Sequence, residues 1–211
     1  MGKQQTQPYN STAKAFLALG DSYTIGESVS TQERFAAQTV LFLKKSGIKI
    51  NEPEYIATTG WTTIDLMNAI ALKKPSSNYD IVTLLIGVND QYQGMDANGY
   101  KMRFTQLLKK AVELAKGNAK NVFVLSIPDY SVTPFAQNSD TEKISNEIDA
   151  FNAINKTVTE AFNITYIDIT ASTREAKNDM SLIAADGLHP SVKEYTKWAL
   201  LLATEIKKRL Q

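Results

Sequence analysis

Hydrophobic and polar positions follow two rhythms along this chain. Short unbroken apolar runs appear at residues 15–20 ("AFLALG"), 79–87 ("YDIVTLLIG") and 121–128 ("NVFVLSIP"). Runs of this length with no polar face predict strands buried on both sides, as in a parallel sheet covered by helices. Two shorter segments rich in β-branched and aromatic residues, "PEYIAT" at 53–58 and "ITYIDI" at 164–169, predict two more. Between the strands, apolar positions recur every three or four residues, which predicts helices over 31–45, 62–72, 99–116, 142–162 and 192–210. Gly47 and Gly117 suit left-handed caps at the ends of two of these. Ser191 with Glu194 has the spacing of a capping box at the start of the last, and Thr31 with Arg34 is half such a pattern. Lys207, Lys208 and Arg209 complement the negative end of the final helix.

Strand and helix units in alternation predict an α/β fold: a three-layer α/β/α sandwich around a five-stranded parallel sheet. We find no repeat and no second domain, and expect a single domain over 15–211 preceded by a linker or tag over 1–14. In open sheets of this kind ligands bind beyond the carboxyl ends of the strands. Four polar, glycine-bearing loops are expected at that rim: "GDSYTIG", "TTGWTT", "GVNDQYQG" and, some distance after the fifth strand, "DGLHPS".

Composition narrows the chemistry. The chain has 211 residues, 43% of them hydrophobic, enough for a core without disulfide or metal staples. No apolar run approaches the ~20 residues that span a bilayer, so no integral membrane segment is expected. A formal charge of +1 leaves no electrostatic footprint for nucleic acid. Cysteine is absent, which excludes thiolate nucleophiles and sulfur-ligated metals. The polar start lacks the apolar region of an intact signal peptide, and its linker character points to an exported chain whose signal has been trimmed rather than to a cytoplasmic one. Met1-Gly2 with Thr6 formally fits an N-myristoylation pattern, which we read as chance or an expression remnant.

An oxygen nucleophile needs a neighbouring base, and histidine has the pKa for that task near neutrality. His189 is the single histidine. Ser22 follows a predicted strand through Gly20 and lies on a tight turn closed by Gly26. Asp186 precedes His189 by three residues, with Gly187 between them and Pro190 after, a sequence that bends. Such a turn folds the carboxylate onto one imidazole nitrogen and leaves the other for Ser22. Charge developing on an attacked carbonyl oxygen needs donors, for which Gly60 offers an unobstructed amide, Asn89 a side-chain amide and Ser22 its own N–H. Asp21 and Asp90 we read as structural.

These residues resemble the SGNH, or GDSL-type, hydrolase family of esterases and lipases, over residues 16 to about 202. Gly20-Asp21-Ser22 matches its first block, Gly60 its second, Gly87, Asn89 and Asp90 its Gly-x-Asn-Asp, and Asp186, His189 and Pro190 its Asp-x-x-His-Pro. The resemblance implies a flavodoxin-like sandwich with strand order 2-1-3-4-5 and a catalytic triad of Ser22, His189 and Asp186. It also implies an oxyanion hole from the Ser22 amide, the Gly60 amide and Asn89, with no metal or organic cofactor. Tyr23 stands where the family commonly has leucine, a departure that bears on pocket shape.

The reading is a serine hydrolase that cleaves O-acyl esters through an acyl-serine. With no lid-like apolar insertion, short acyl groups are expected, such as acetyl on a carbohydrate or other small alcohol. Trp61, Tyr23, Tyr92 and Tyr130 are candidates to line its pocket. Alternatives are a lysophospholipase or thioesterase acting on lipid, a non-catalytic flavodoxin-like binder holding FMN, and a metallohydrolase using Asp21, Asp90, Asp186 and His189. An α/β-hydrolase is disfavoured, because its nucleophile elbow wants glycine where Thr24 stands.

Overall fold

The five predicted strands appear in the computed structural model, which describes residues 13–210. They are β1 (Phe16–Gly20), β2 (Glu54–Ala57), β3 (Ile81–Leu85), β4 (Val122–Leu125) and β5 (Thr165–Ile167). Among the described residues they form one sheet in the order β2-β1-β3-β4-β5, every pair parallel. Burial explains the order. The continuous apolar runs of β1, β3 and β4 are buried at every residue and take the centre, while β2 and β5, each only partly buried, take the edges.

Register then sets up the functional rim. Gly20 is level with Ala57 on one side and Leu85 on the other, so β1, β2 and β3 end together. From β1 the chain crosses first to β2 and later to β3 on the opposite side, which makes the carboxyl end of β1 the topological switch point. At Gly20 itself a Cβ would come within 2.3 Å of the Leu85 carbonyl and 2.1 Å of Thr24 Oγ1, so only glycine lets the chain turn here against β3.

The helices are α1 (Ser22–Ile25), α2 (Phe35–Lys45), α3 (Thr63–Lys73), α4 (Val88–Tyr92), α5 (Ala97–Leu114), α6 (Thr141–Ala161), α7 (Thr170–Arg174) and α8 (Val192–Leu210). α2 packs along α8, and α5 packs between α3 and α6. Phe35, Tyr195 and Trp198 are fully buried and meet ring to ring between α2 and α8. Tyr100, Phe104 and Phe151 do the same between α5 and α6. Burying one such ring is worth about 1.5–3 kcal/mol, so these two clusters hold the outer layers on the sheet.

Several helix ends differ from expectation, each for a visible reason. Side-chain caps start α5 and α6 before the predicted Gly99 and Glu142: Asp96 accepts from Gly99 N at 2.7 Å and Asp140 from Lys143 N at 3.0 Å. α2 begins at Phe35 rather than Thr31, since residues 31–34 form a turn in which Arg34 swings its guanidinium over the Tyr55 ring. The capping box expected at Ser191 is not made. Ser191 N donates to the Leu182 carbonyl and its hydroxyl to Ser181 O, while Glu194 turns inward to accept from Ser172 Oγ and Trp198 Nε1. A capping box does form at α3, where Thr62 and Asp65 satisfy each other's backbone. Of the linker expected over 1–14, residues 1–12, with the myristoylation pattern, lie outside the described residues; Lys14 forms a β-bridge with Ile50.

Candidate active site

Ser22 is the first residue of α1, directly beyond β1. Asp21 caps the helix by accepting from Tyr23 N at 3.0 Å. The Ser22 amide thus belongs to the unpaired donors of a helix start. Serine and aspartate favour this short turn because one caps and the other tolerates the first position.

His189 lies near the end of a loop that runs into α8, and the loop is fastened along its length. Ala184 N donates to His189 O at 2.7 Å, Ser191 N to Leu182 O at 2.8 Å and Phe135 N to Gly187 O at 3.0 Å. Asp186 folds back over the turn as expected. Its Oδ1 accepts from the amides of Leu188 and His189, both at 3.0 Å, and its Oδ2 lies 2.6 Å from His189 Nδ1. Ser28 Oγ donates to the same Oδ2, also at 2.6 Å. Burial alone would raise the carboxyl pKa, but the hydrogen bonds from Ser28, His189 and the two amides outweigh it and hold Asp186 well below the usual carboxylate range. An ionised Asp186 makes Nδ1 the protonated nitrogen and leaves Nε2 as the acceptor.

Ser22, Asn89 and His189 line one cavity of about 120 Å3, together with Tyr23, Val88, Tyr92, Tyr130, Phe135 and Leu188. The structure therefore gathers three of the five predicted site residues around one cavity and attaches a further one, Asp186, through His189. Tyr23 is buried and sets its ring 5.0 Å from the imidazole, and its carbonyl accepts from the hydroxyl of Tyr195 on α8 at 3.0 Å. That bond couples the serine's helix to the helix behind the histidine. Tyr92, Tyr130 and Phe135 form a mutual ring cluster on another side, with centroids 6.1–6.2 Å apart.

Gly60 stands apart from that cavity. It has φ of +81°, and a Cβ there would meet nothing within 4 Å; it is not among the residues that line the cavity. Its loop is joined to the site through the next residue: Asn89 Nδ2 donates to Trp61 O at 2.9 Å. A primary amide carries two N–H donors, so the second remains for a ligand. Trp61 contributes this carbonyl, and its ring packs against the core instead of lining the cavity.

Asp90, fully buried, fastens the same region from behind. Its carboxylate accepts from Thr63 N at 2.8 Å, Thr63 Oγ1 at 2.5 Å and Arg103 at 3.2 Å, tying α4 to the start of α3. Asp21 is also fully buried, and burial together with the charge of Asp90 pushes its pKa up to about 8. Among the described residues, no group of three or more His, Cys, Asp or Glu side chains is gathered to hold a metal ion.

The roles of Ser28, Thr63, Arg103 and Phe135 emerge only from the fold. Ser28, Thr63 and Arg103 act through partners that lie far along the chain, and Phe135 through the cavity it lines.

Comparison with known proteins follows the same lines. The model of the GDSL-like Lipase/Acylhydrolase family matches residues 18–197. The chain is 33% identical over 91 residues to the secreted effector protein SseJ of Salmonella typhimurium strain LT2, a match covering 43% of this chain and 22% of that protein. In three dimensions it resembles TesA, with a TM-score of 0.70 at 18% identity over 93% of this chain and 99% of that one. It also resembles Axe2, an acetylxylan esterase from Geobacillus stearothermophilus, with a TM-score of 0.66 at 19% identity over 94% of both chains. At such identities the two structures speak to the fold.

Proposed function

The chain belongs to the GDSL-like Lipase/Acylhydrolase family; from that premise we propose that it is a carboxylic ester hydrolase that works through an acyl-serine formed on Ser22. The observation that carries this reading is the 2.6 Å bond between His189 Nδ1 and Asp186 Oδ2, on a histidine that lines the same cavity as Ser22.

Ser22 Oγ attacks the ester carbonyl carbon as His189 Nε2 takes its proton. Asp186 keeps the imidazole in the required tautomer and stabilises the imidazolium. The Ser22 amide and the free N–H of Asn89, both from residues that line the cavity, receive the negative charge that develops on the carbonyl oxygen, and the Gly60 amide, on the loop that Asn89 ties to the site through Trp61 O, is the third donor. Collapse of this intermediate passes the proton from His189 to the departing alcohol. Water then enters, His189 takes a proton from it, and the acid leaves as Ser22 regains its hydrogen.

The acyl group is short. A cavity of about 120 Å3 with Val88, Leu188, Tyr130 and Phe135 in its lining is smaller than the ~150 Å3 apolar cavity known to admit benzene, so acetyl to butanoyl groups fill it. Tyr92 and Phe135 are 60% and 49% exposed at its edge, apolar faces against which a sugar or other small alcohol rests.

A p-nitrophenyl ester series from acetate to decanoate, run on wild type and on Ser22→Ala, tests both parts. We expect kcat/KM to peak at four carbons or fewer and Ser22→Ala to lose several orders of magnitude. Equal rates in the two proteins refute the acyl-serine, and a peak at eight or ten carbons refutes the short pocket in favour of a lipid substrate.

A further inference from the structure

Beyond the three residues of the triad, one more side chain reaches its carboxylate. Ser28 lies 158 residues from Asp186, in the loop after α1, and its hydroxyl donates at 2.6 Å to Oδ2, the oxygen that His189 also uses. To get there Ser28 adopts φ of +67°, in the left-handed region that a serine enters only at some cost. The loop around it is tightly closed, with Glu27 N donating to Ser22 O at 3.0 Å and Val29 N to Gly26 O at 3.3 Å. The segment that carries the nucleophile therefore also carries a donor to the carboxylate that serves the base. The turn needs a left-handed residue, glycine would supply it most cheaply, and a hydroxyl-bearing residue stands there instead.

We propose that Ser28 is a positioning residue of this active site: its hydroxyl divides Asp186 Oδ2 between two donors, holds the carboxylate against the imidazole, and thereby limits how strongly Asp186 holds the proton on His189. The proposal rests on the acyl-serine reading above. Without the Ser28 hydroxyl, Oδ2 would face Nδ1 alone. The carboxylate would then favour the imidazolium more strongly, so His189 would stay protonated to higher pH and serve less well as a base near neutrality. It would also be freer to rotate about the Asp186 side chain, and the imidazole would follow.

The acid limb of the activity profile isolates this effect from its neighbours. Tyr23 on α1 and Tyr195 on α8 face the same carboxylate, and burial raises both phenols above their usual range. Asp21, behind Tyr23, titrates near pH 8, above that limb. Glu27, beside Ser28, is engaged by the Thr59 hydroxyl.

Ser28→Gly is the informative variant, because glycine accepts the left-handed backbone without strain while losing the hydroxymethyl group and so the donor to Asp186. We expect it to unfold at the same or higher denaturant concentration than wild type. We expect kcat on p-nitrophenyl acetate to fall about tenfold, as for loss of a hydrogen bond to a charged group, with KM within twofold. The apparent pKa of the acid limb of kcat/KM should rise by half a unit or more. A merely structural serine predicts the opposite pairing, in which stability changes and the profile does not. Wild-type kcat and an unmoved acid limb in a folded Ser28→Gly overturn the proposal. Ser22→Ala, measured alongside, separates the two levels: if it keeps full activity the acyl-serine reading itself fails, and if it is dead while Ser28→Gly matches wild type only the role of Ser28 does.

Discussion

Asp21→Asn offers a test in which one buried proton is weighed. Asp21 has no exposed surface; its Oδ1 caps α1 and its Oδ2 finds no hydrogen-bond partner among the described residues. Burial and the charge of Asp90 raise its pKa from 3.8 to about 8, so near neutrality the folded protein carries a neutral carboxyl here. The unfolded chain, with an ordinary carboxyl, is ionised above about pH 4. Between these two values folding takes up one proton, and the unfolding free energy falls as pH rises, by about 1.4 kcal/mol per unit. The stability tied to this group is thus fully present below pH 3.8 and lost as pH climbs through 8. From pH 5 to pH 7 the loss is of the order of 2–3 kcal/mol.

Asparagine keeps the capping oxygen and abolishes the titration. The measurement is urea unfolding of both proteins at pH 5, 6 and 7, followed by far-ultraviolet circular dichroism. Other titrating groups contribute equally to both and cancel in the difference. We expect the wild-type free energy to fall relative to that of Asp21→Asn by 1 kcal/mol or more per pH unit, whatever the absolute effect of the substitution at pH 5. Parallel lines for the two proteins would show that Asp21 is an ordinary ionised carboxylate and would refute the reasoning.

Two further expectations concern the same rim. Asp186→Asn should fold yet lose about 1,000- to 10,000-fold in kcat, because an amide facing Nδ1 selects the wrong imidazole tautomer; steady-state kinetics with p-nitrophenyl acetate at pH 7.5 decides it, and a loss under tenfold counts against the assigned role. Arg103→Met keeps the aliphatic stem but leaves the buried carboxylate of Asp90 without its cation, at a cost of about 2–4 kcal/mol; a change below 1 kcal/mol in chemical denaturation would mean that Thr63 suffices for Asp90.

Much of this architecture was legible in the sequence because the central strands announce themselves. β1, β3 and β4 are continuous apolar runs, and such runs have no stable place except between two helical layers. The candidate site was legible to the extent that its chemistry is local: Asp186 and His189 share a turn, and Ser22 and Asn89 each follow a strand by a few residues. What escaped is what depends on the fold. Whether Glu194 closes a cap or turns inward is settled by Ser172 and Trp198, which no nearby residue reveals. Thr62 with Asp65 lacks the glutamate or glutamine of the usual capping-box pattern, so that box shows only in the structure. Ser28 sits in a polar loop like many others, and only its backbone angle and its distant partner set it apart.

The Tyr195 hydroxyl bound to the Tyr23 carbonyl, across 172 residues, has a consequence for the order of events during synthesis. Ser22 leaves the ribosome well before His189 and α8, so on the acyl-serine reading a growing chain holds the serine without its base until α8 has docked against α2. If that reading holds, hydrolytic power is a certificate of completed folding: half-made chains, however well their sheet has formed, stay inert toward the esters around them.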